Sequence, residues 1–441
     1  MQNLLDSTFY GMYNYNIILT ERDKFMLITN APKGTQDLLP ADIYKWHFLE
    51  KNFKDVCDCF SYKEIRMPTF EHTELFERGV GDTTDVVEKQ MYTFLDKGGR
   101  SITLRPEGTA SVARSFLQNN LYAMPLPAKM FYNIPCFRYE NKQKGRLREF
   151  HQFGVEAFGS AGPGIDAEII SLALTFLKKV GLKDLTVHIN SIGCPDCRKK
   201  YNDILRDFLR PKLDKLCDTC KGRFERNPLR ILDCKSEICN KEADGAPILL
   251  DHICDSCREH FEGFKKALTG MNIDYVVDNS IVRGLDYYTK SVFEIISGEF
   301  TVCGGGRYDG LIEEFGGDPT PGIGFGLGIE RLLIRLDETG VEIPYDSGVE
   351  LYVAPLGEKA AEFVSGFMLK LREAGISAET DHMSRGLRAQ MKYADKLGAK
   401  YTIVLGDNEI DNQKCEIKNM LTGEKTEISL SSVSSFIGGN R

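Results

Sequence analysis

The sequence predicts an α+β domain built on an antiparallel sheet, interrupted by a small inserted domain and followed by a separate α/β domain. Short apolar runs bounded by turn residues recur at 129–135, 153–158, 291–296 and 300–303, a pattern of strands that pair with their neighbours. Eight cysteines crowd into residues 191–261, where the strand pattern stops and after which it resumes. From residue 349 the chain reads strand, helix, strand, helix, strand, which is a βαβαβ unit.

In chain order, residues 1–25 are rich in Asn and Tyr and show no helical period, so Met26 is the expected biological start, the alternative being that 1–25 form a genuine short N-terminal extension packed on the body. From Pro40 the residues Ile43, Trp46, Leu49, Phe53, Val56 and Phe60 step by three or four, predicting an amphipathic helix with Pro40 near its first turn. Glu64 to Pro68 is short and extended, and Pro68 confines it to a sheet edge or strand end. A second helix is expected from Asp166 to Val180, stopped by Gly181. The first domain then spans 26–190 and 262–337, the insert 191–261, a polar linker 338–348, and the C-terminal domain 349–441.

A length of 441 residues fits two to four domains at roughly 100–200 residues each. A net charge of -8 with 42% hydrophobic and 27% charged residues excludes wholesale disorder and histone-like charge, but not a nucleic-acid partner, because steering depends on where basic residues cluster. No window approaches the ~18 apolar residues of a membrane span, and no basic segment opens the chain, so no membrane association and a cytoplasmic location are expected. Thirteen cysteines in such a chain fit reduced thiols or a metal site better than disulfides.

The glycine runs do not match the familiar nucleotide fingerprints. There is no Gly-Lys pair for a Walker loop, and Gly322-Ile323-Gly324-Phe325-Gly326-Leu327-Gly328 lacks the dinucleotide spacing. If a nucleotide binds, arginines must meet its phosphates. Three segments suit that. Phe137-Arg138-Tyr139-Glu140, a loop, and Arg148 to Gln152 would bring Arg138 and Phe150 together on a sheet surface, one to grip a phosphate and one to stack on a base. The others are Arg283-Gly284-Leu285-Asp286-Tyr287-Tyr288, and Gly322 to Gly328 followed by Ile329-Glu330-Arg331, where small residues would let strand and helix approach closely.

In this order and spacing the first and third segments resemble motifs 2 and 3 of class II aminoacyl-tRNA synthetases, with Glu64 to Leu75 where motif 1 belongs. Leu104-Arg105-Pro106-Glu107-Gly108-Thr109, the Arg283 to Tyr288 segment and Cys303 to Gly310 are similar to the histidine-binding segments of the histidyl-tRNA synthetase family, bacterial type, from about residue 30 to the C-terminus. The resemblance implies a class II catalytic domain, a C-terminal anticodon-binding domain, a homodimer, and ATP with Mg2+, L-histidine and histidine tRNA as reactants. It implies that Arg138 grips the α-phosphate and the substrate carboxylate, that Arg146 and Arg331 hold the terminal phosphates, that Phe150 stacks on adenine and that Glu140 fixes its edge. Arg283 would lie beside the α-phosphate. Histidine would meet Glu107, Thr109 and Tyr287 through its ammonium, Gln152 and Arg283 through its carboxylate, and Glu156 and Tyr288 through its ring nitrogens. The helix from Ser384, with Arg385, Arg388, Lys392 and Lys396, presents a basic face that suits a phosphate backbone or a solvated surface equally.

The family does not generally require the eight cysteines of the insert. Cys194/Cys197, Cys217/Cys220 and Cys254/Cys257 are Cys-x-x-Cys pairs, and Cys234/Cys239 is a looser fourth. Four pairs can supply two four-thiolate zinc sites, or they are buried reduced thiols; spacing alone does not show that pairs converge. Zinc here would hold the insert folded, outside the catalytic pocket, and affect tRNA charging more than amino-acid activation. The alternative function is a non-catalytic regulatory subunit of ATP phosphoribosyltransferase, a synthetase-like class that typically loses the anticodon domain and parts of the arginine set.

Overall fold

Helix α1 (Ile43–Cys59) buries Trp46, Leu49, Phe53 and Val56, the stripe that its three-and-four spacing demands. Pro40 sits outside it: the Asp42 and Ile43 amides both bond the Leu39 carbonyl, so the proline belongs to the turn that precedes the helix. The computed structural model describes residues 29–81, 84–140, 144–234, 236–345 and 348–439, and the proposed start at Met26 lies outside these. The chain separates into two compact units, one ending at Glu342 and one beginning at Ile343.

The first unit is organised by one eight-stranded sheet. Its strands are β1 (Lys63–Glu64), β2 (Ala128–Phe137), β3 (Glu149–Phe158), β4 (Leu185–Ser191), β5 (Tyr275–Val277), β6 (Thr289–Ser297), β7 (Phe300–Arg307) and β8 (Gly322–Gly328), in the spatial order β1-β2-β3-β8-β7-β6-β4-β5. The six central strands are antiparallel. Both edges depart from that: β1 runs parallel to β2 and β5 parallel to β4, each reached by a crossover rather than a hairpin. On one face Phe53 of α1 stacks on Phe153 of β3 at 4.3 Å and meets Phe176 edge-on at 5.2 Å. Each such fully buried ring contributes on the order of 2 kcal/mol.

Helix α2 (Thr109–Gln118) lies over the other face, and α3 (Gly164–Lys179) carries Phe176; Gly181 follows α3 with φ +107°, as the sequence requires of a C-terminal stop. The cysteine-rich segment is helical: α4 (Pro195–Leu209), α5 (Asp218–Arg226), α6 (Glu237–Ala243) and α7 (Asp255–Gly270). Its Tyr201, Leu205, Phe224 and Ile231 join Tyr132 and Val292 of the sheet, and Tyr308 just past β7, in one apolar cluster, so the segment shares its core with the sheet. The unit closes with α8 (Ile329–Glu338).

The second unit holds Leu351–Pro355, Ala378–Thr380 and Tyr401–Leu405 as parallel strands joined by helices Glu358–Glu373 and Leu387–Lys396, the expected βαβαβ arrangement, with two antiparallel strands added beyond it. Arg388, Lys392 and Lys396 are exposed along the basic helix. Arg385 is not part of that face: it precedes the helix, bonds Asp381 at 2.8 Å and stacks on Tyr393 at 4.4 Å.

Beneath the large sheet, Arg307 and Asp166 form an ion pair in which both side chains are 0% exposed, and His260 of α7 bonds the same carboxylate at 2.8 Å. Burial alone would raise the Asp166 pKa, but the His260 bond and the Arg307 charge hold it below the usual carboxylate range. Removing Asp166 leaves a desolvated guanidinium with Asp309 at 3.1 Å as its remaining counter-charge. Asp166→Ala should therefore cost about 3–5 kcal/mol in urea unfolding, and a loss below about 1 kcal/mol would show that the pair is not sealed from water.

Candidate active site

Strand alternation places every second residue of β3 on one face, and on that face stand Phe150, Gln152, Gly154 and Glu156. Register puts Gly326 opposite Gly154 and Gly304 opposite Gly326, with Gly324 opposite Glu156. These glycines clear space for longer side chains. A Cβ on Gly324 would stand 1.8 Å from Glu156 Oε2, one on Gly326 2.1 Å from Gln152 Nε2, and one on Gly304 2.5 Å from Arg283 Nη2. The sequence reading of β8, in which glycines let strand and helix pack closely, is thus corrected. Ile323, Phe325 and Leu327 point to the core, and the alternating glycines open the other face. That strict period of two was the overlooked signal.

Above this floor lies a cavity of about 580 Å3 lined by Glu107, Thr109, Arg138, Glu140, Arg146, Phe150, Gln152, Arg283, Tyr287, Tyr288 and Arg331, so all but one of the residues singled out for the pocket converge there. Arg138 lies 5.2 Å over the Phe150 ring, the pairing anticipated from the strand-loop-strand pattern, and its Nε donates to the Pro106 carbonyl at 2.8 Å. Arg146 reaches Glu140 at 3.4 Å. Arg331 donates to the Thr301 carbonyl at 3.1 Å; burial, then the neighbouring Arg146 charge, lowers its pKa, so two cations crowd one end of the cavity. Arg283 pairs with Glu294, and its Nε is buried without a hydrogen-bond partner. Sequence reasoning missed Glu294, because nothing in its local pattern separates it from any strand carboxylate.

Glu156 is the exception. It is 0% exposed and lies beneath the cavity, where it accepts from Thr109 Oγ1 at 2.8 Å, Tyr132 OH at 3.1 Å and the Tyr308 hydroxyl. Desolvation outweighs these donors and pushes its pKa up to about 8. Glu107 is also fully buried and desolvated, which raises its pKa, although the Thr109 and Ala110 amides at the start of α2 donate to it at 2.7 and 2.8 Å. Tyr287 and Tyr288 pack at 4.7 Å, and burial raises both hydroxyl pKa values. The wall therefore presents cations at one end and neutral or anionic oxygens at the other, which suits a zwitterion lying against a polyphosphate.

The cysteines converge as two tetrads, Cys194/Cys197/Cys254/Cys257 and Cys217/Cys220/Cys234/Cys239, with the sulfurs of each within 4.8 Å of one another. Cys194, Cys217 and Cys254 are the N-cap residues of α4, α5 and α7, so each Cys-x-x-Cys pair sits on a helix start, where amides face the sulfur. Backbone donation from Cys220 and from Cys257 brings Cys217 and Cys254 down to about 7.

Residues 34–196 and 236–332 match the family model for histidyl-tRNA synthetase, and residues 350–440 match that for an anticodon binding domain. The chain belongs to the histidyl-tRNA synthetase family. The histidine–tRNA ligase of Acetivibrio thermocellus is 58% identical over 408 residues, covering 92% of this chain and 98% of that protein. That of Caldanaerobacter subterraneus subsp. tengcongensis is 54% identical, covering 93% and 100%. Apo histidyl-tRNA synthetase of S. aureus superposes with a TM-score of 0.80 at 40% identity, over 93% of this chain and 100% of that one. Such identity and coverage set aside the regulatory-subunit alternative. The synthetase model leaves 197–235 unmatched, and Cys197, Cys217, Cys220 and Cys234 fall in that gap.

A carboxyl protonated in the fold but ionised in the unfolded chain costs stability as pH rises from its ordinary value of 4.5 to its folded value of about 8. Glu156→Gln should remove that slope. Thermal midpoints followed between these two pH values should fall less in the variant than in the parent, and parallel profiles would contradict the burial argument.

Proposed function

We infer that the protein joins L-histidine to its tRNA in two steps, forming histidyl-adenylate from ATP with loss of pyrophosphate and then passing the histidyl group to a hydroxyl of the tRNA's terminal ribose with release of AMP. The observation that carries this reading is the single cavity in which Arg138, Arg146, Arg283 and Arg331, Phe150 and a set of buried polar side chains share one glycine-cleared floor. Arg138 grips the α-phosphate and the histidine carboxylate, with Phe150 beneath adenine and Glu140 at its edge. Arg146 and Arg331 hold the outgoing pyrophosphate. Arg283, whose Nε is buried and unpaired, meets the charge that grows on the α-phosphate; such preorganised donors are commonly worth ~10²-fold or more in rate.

For the amino acid, Glu107, Thr109 and Tyr287 take the ammonium, and Gln152 with Arg283 takes the carboxylate. Tyr288 reads one ring nitrogen. Glu156 acts on the other through the Thr109 and Tyr132 hydroxyls that it orients. Leaving such partners unpaired is what rejects other amino acids. Mg2+ takes oxygen donors, which Glu294 and Glu330 supply on the cavity wall; bound with the triphosphate it would offset negative charge.

The tetrads fit Zn2+. Tetrahedral thiolates at 2.3 Å from zinc stand about 3.8 Å apart, and the sulfur separations Cys194–Cys197, Cys197–Cys257 and Cys217–Cys234 are 3.5, 4.0 and 3.9 Å. The second unit, matched as an anticodon binding domain, would meet the tRNA through Arg388, Lys392 and Lys396. A homodimer paired through the Glu64 to Leu75 segment and a cytoplasmic setting complete the reading; among the described residues no helix is long and apolar enough to cross a membrane.

The decisive test is ATP–pyrophosphate exchange with each of the twenty amino acids. Exchange with histidine alone is expected. Absence of exchange with any of them would overturn the enzymatic reading, and exchange with a second amino acid would overturn the roles of Tyr288 and Glu156.

A further inference from the structure

We propose that the cysteine-rich insert acts on amino-acid activation itself: Arg230 is a positioning residue that holds the Arg283 loop, and the Cys217/Cys220/Cys234/Cys239 tetrad is the metal staple that holds Arg230. This rests on the adenylation and zinc readings above. It reverses the sequence-based expectation that metal in the insert serves tRNA charging and spares activation.

Three insert side chains grip the segment Arg283–Asp286. Arg230 Nη1 donates to the Arg283 carbonyl at 2.8 Å, Asn227 Nδ2 to Asp286 Oδ1 at 2.9 Å, and Arg198 Nη1 to the Asp286 carbonyl at 3.2 Å. Arg230 is 8% exposed and lines both the active-site cavity and an adjoining one of about 1030 Å3. It is thus the wall between the insert and the chemistry. The Arg283 side chain is fixed at its head by Glu294, and its backbone is fixed by Arg230. Without the second hold, the guanidinium could keep its ion pair while its unpaired Nε moved away from the reacting phosphate.

What fixes Arg230 is the tetrad. Asn227 and Arg230 occupy the turn between α5, which carries Cys220, and Cys234, whose amide bonds the Ile231 carbonyl at 3.2 Å. Arg223 of α5 closes the same turn, reaching the Arg230 carbonyl at 3.4 Å and Asp85 at 2.7 Å. The turn is a single 3-10 turn with no sheet ladder, so a metal joining Cys217 and Cys220 to Cys234 and Cys239 ties its two ends together.

The test uses the full-length protein, purified without added metal, with zinc counted by elemental analysis and histidine-dependent pyrophosphate exchange titrated in both substrates. Arg230→Ala should lower kcat/KM for histidine ~10-fold to ~10²-fold, the scale of a small misplacement of a reacting group. Its ATP KM, zinc content and thermal midpoint should match the parent, and Arg230→Lys, which keeps one donor for the Arg283 carbonyl, should recover most of the loss. Cys234→Ser should lower zinc from two per chain to one and reproduce the histidine-selective defect. Parental exchange in Arg230→Ala would overturn the proposal, as would loss of zinc in both Arg230 variants, which would make Arg230 a folding residue. Zinc lost from Cys234→Ser with exchange intact would overturn the coupling. An active parent containing no zinc would refute the metal staple, and a parent inactive with histidine would refute the activity beneath it; both results are read from the parent alone.

Discussion

Glu156 Oε2 occupies the space that a Cβ on Gly324 would need, and that exclusion governs the rest of the site. A pocket for a charged ligand in the middle of a sheet requires desolvated arginines and carboxylates held in fixed places, and a fixed place on a strand comes from its neighbours. Here the neighbours have withdrawn. Gly154, Gly304, Gly324 and Gly326 remove side chains from one face over three adjoining strands, and Gln152, Glu156 and Arg283 lie in the room they leave. The opposite face keeps Phe153, Val155, Ile323, Phe325 and Leu327, all buried, so the floor is backed by a close-packed core.

Burial then sets the electrostatics. Glu156 and Glu107 are pushed toward their neutral forms by the same desolvation that makes their hydrogen bonds discriminating, while at the other end Arg146 and Arg331 crowd together and so favour an anion between them. The cavity is polarised along its length by where water is excluded. A phosphate and a carboxylate fit one end, an ammonium and an imidazole the other.

Much of this was legible in the sequence because it depends on local patterns. The α1 stripe, the Gly181 stop and the Arg138–Phe150 pairing follow from periodicity and strand return, which are set by residues a few positions apart. The parallel edge strands, Glu294 under Arg283 and the grip of Arg230 on the Arg283 carbonyl were not legible, because each depends on partners brought together by the fold across the sheet or from the insert. The cysteine pairs lay between. Cys-x-x-Cys spacing shows that two sulfurs can meet one ion, but only the fold shows that Cys194/Cys197 face Cys254/Cys257 and that Cys217/Cys220 face Cys234/Cys239. The glycines of β8 were visible and misread, since strand-helix packing and a cleared floor call for the same residue and differ only in its period.

Single-turnover formation of histidyl-adenylate by Gly304→Ala decides whether the glycine floor places Arg283. The added methyl would lie 2.5 Å from Arg283 Nη2, at the far end of a flexible side chain, so the guanidinium must move while the sheet need not. The rate should be at least ~10-fold lower, with an unchanged thermal midpoint and unchanged ATP affinity. A parental rate in a folded variant would contradict it.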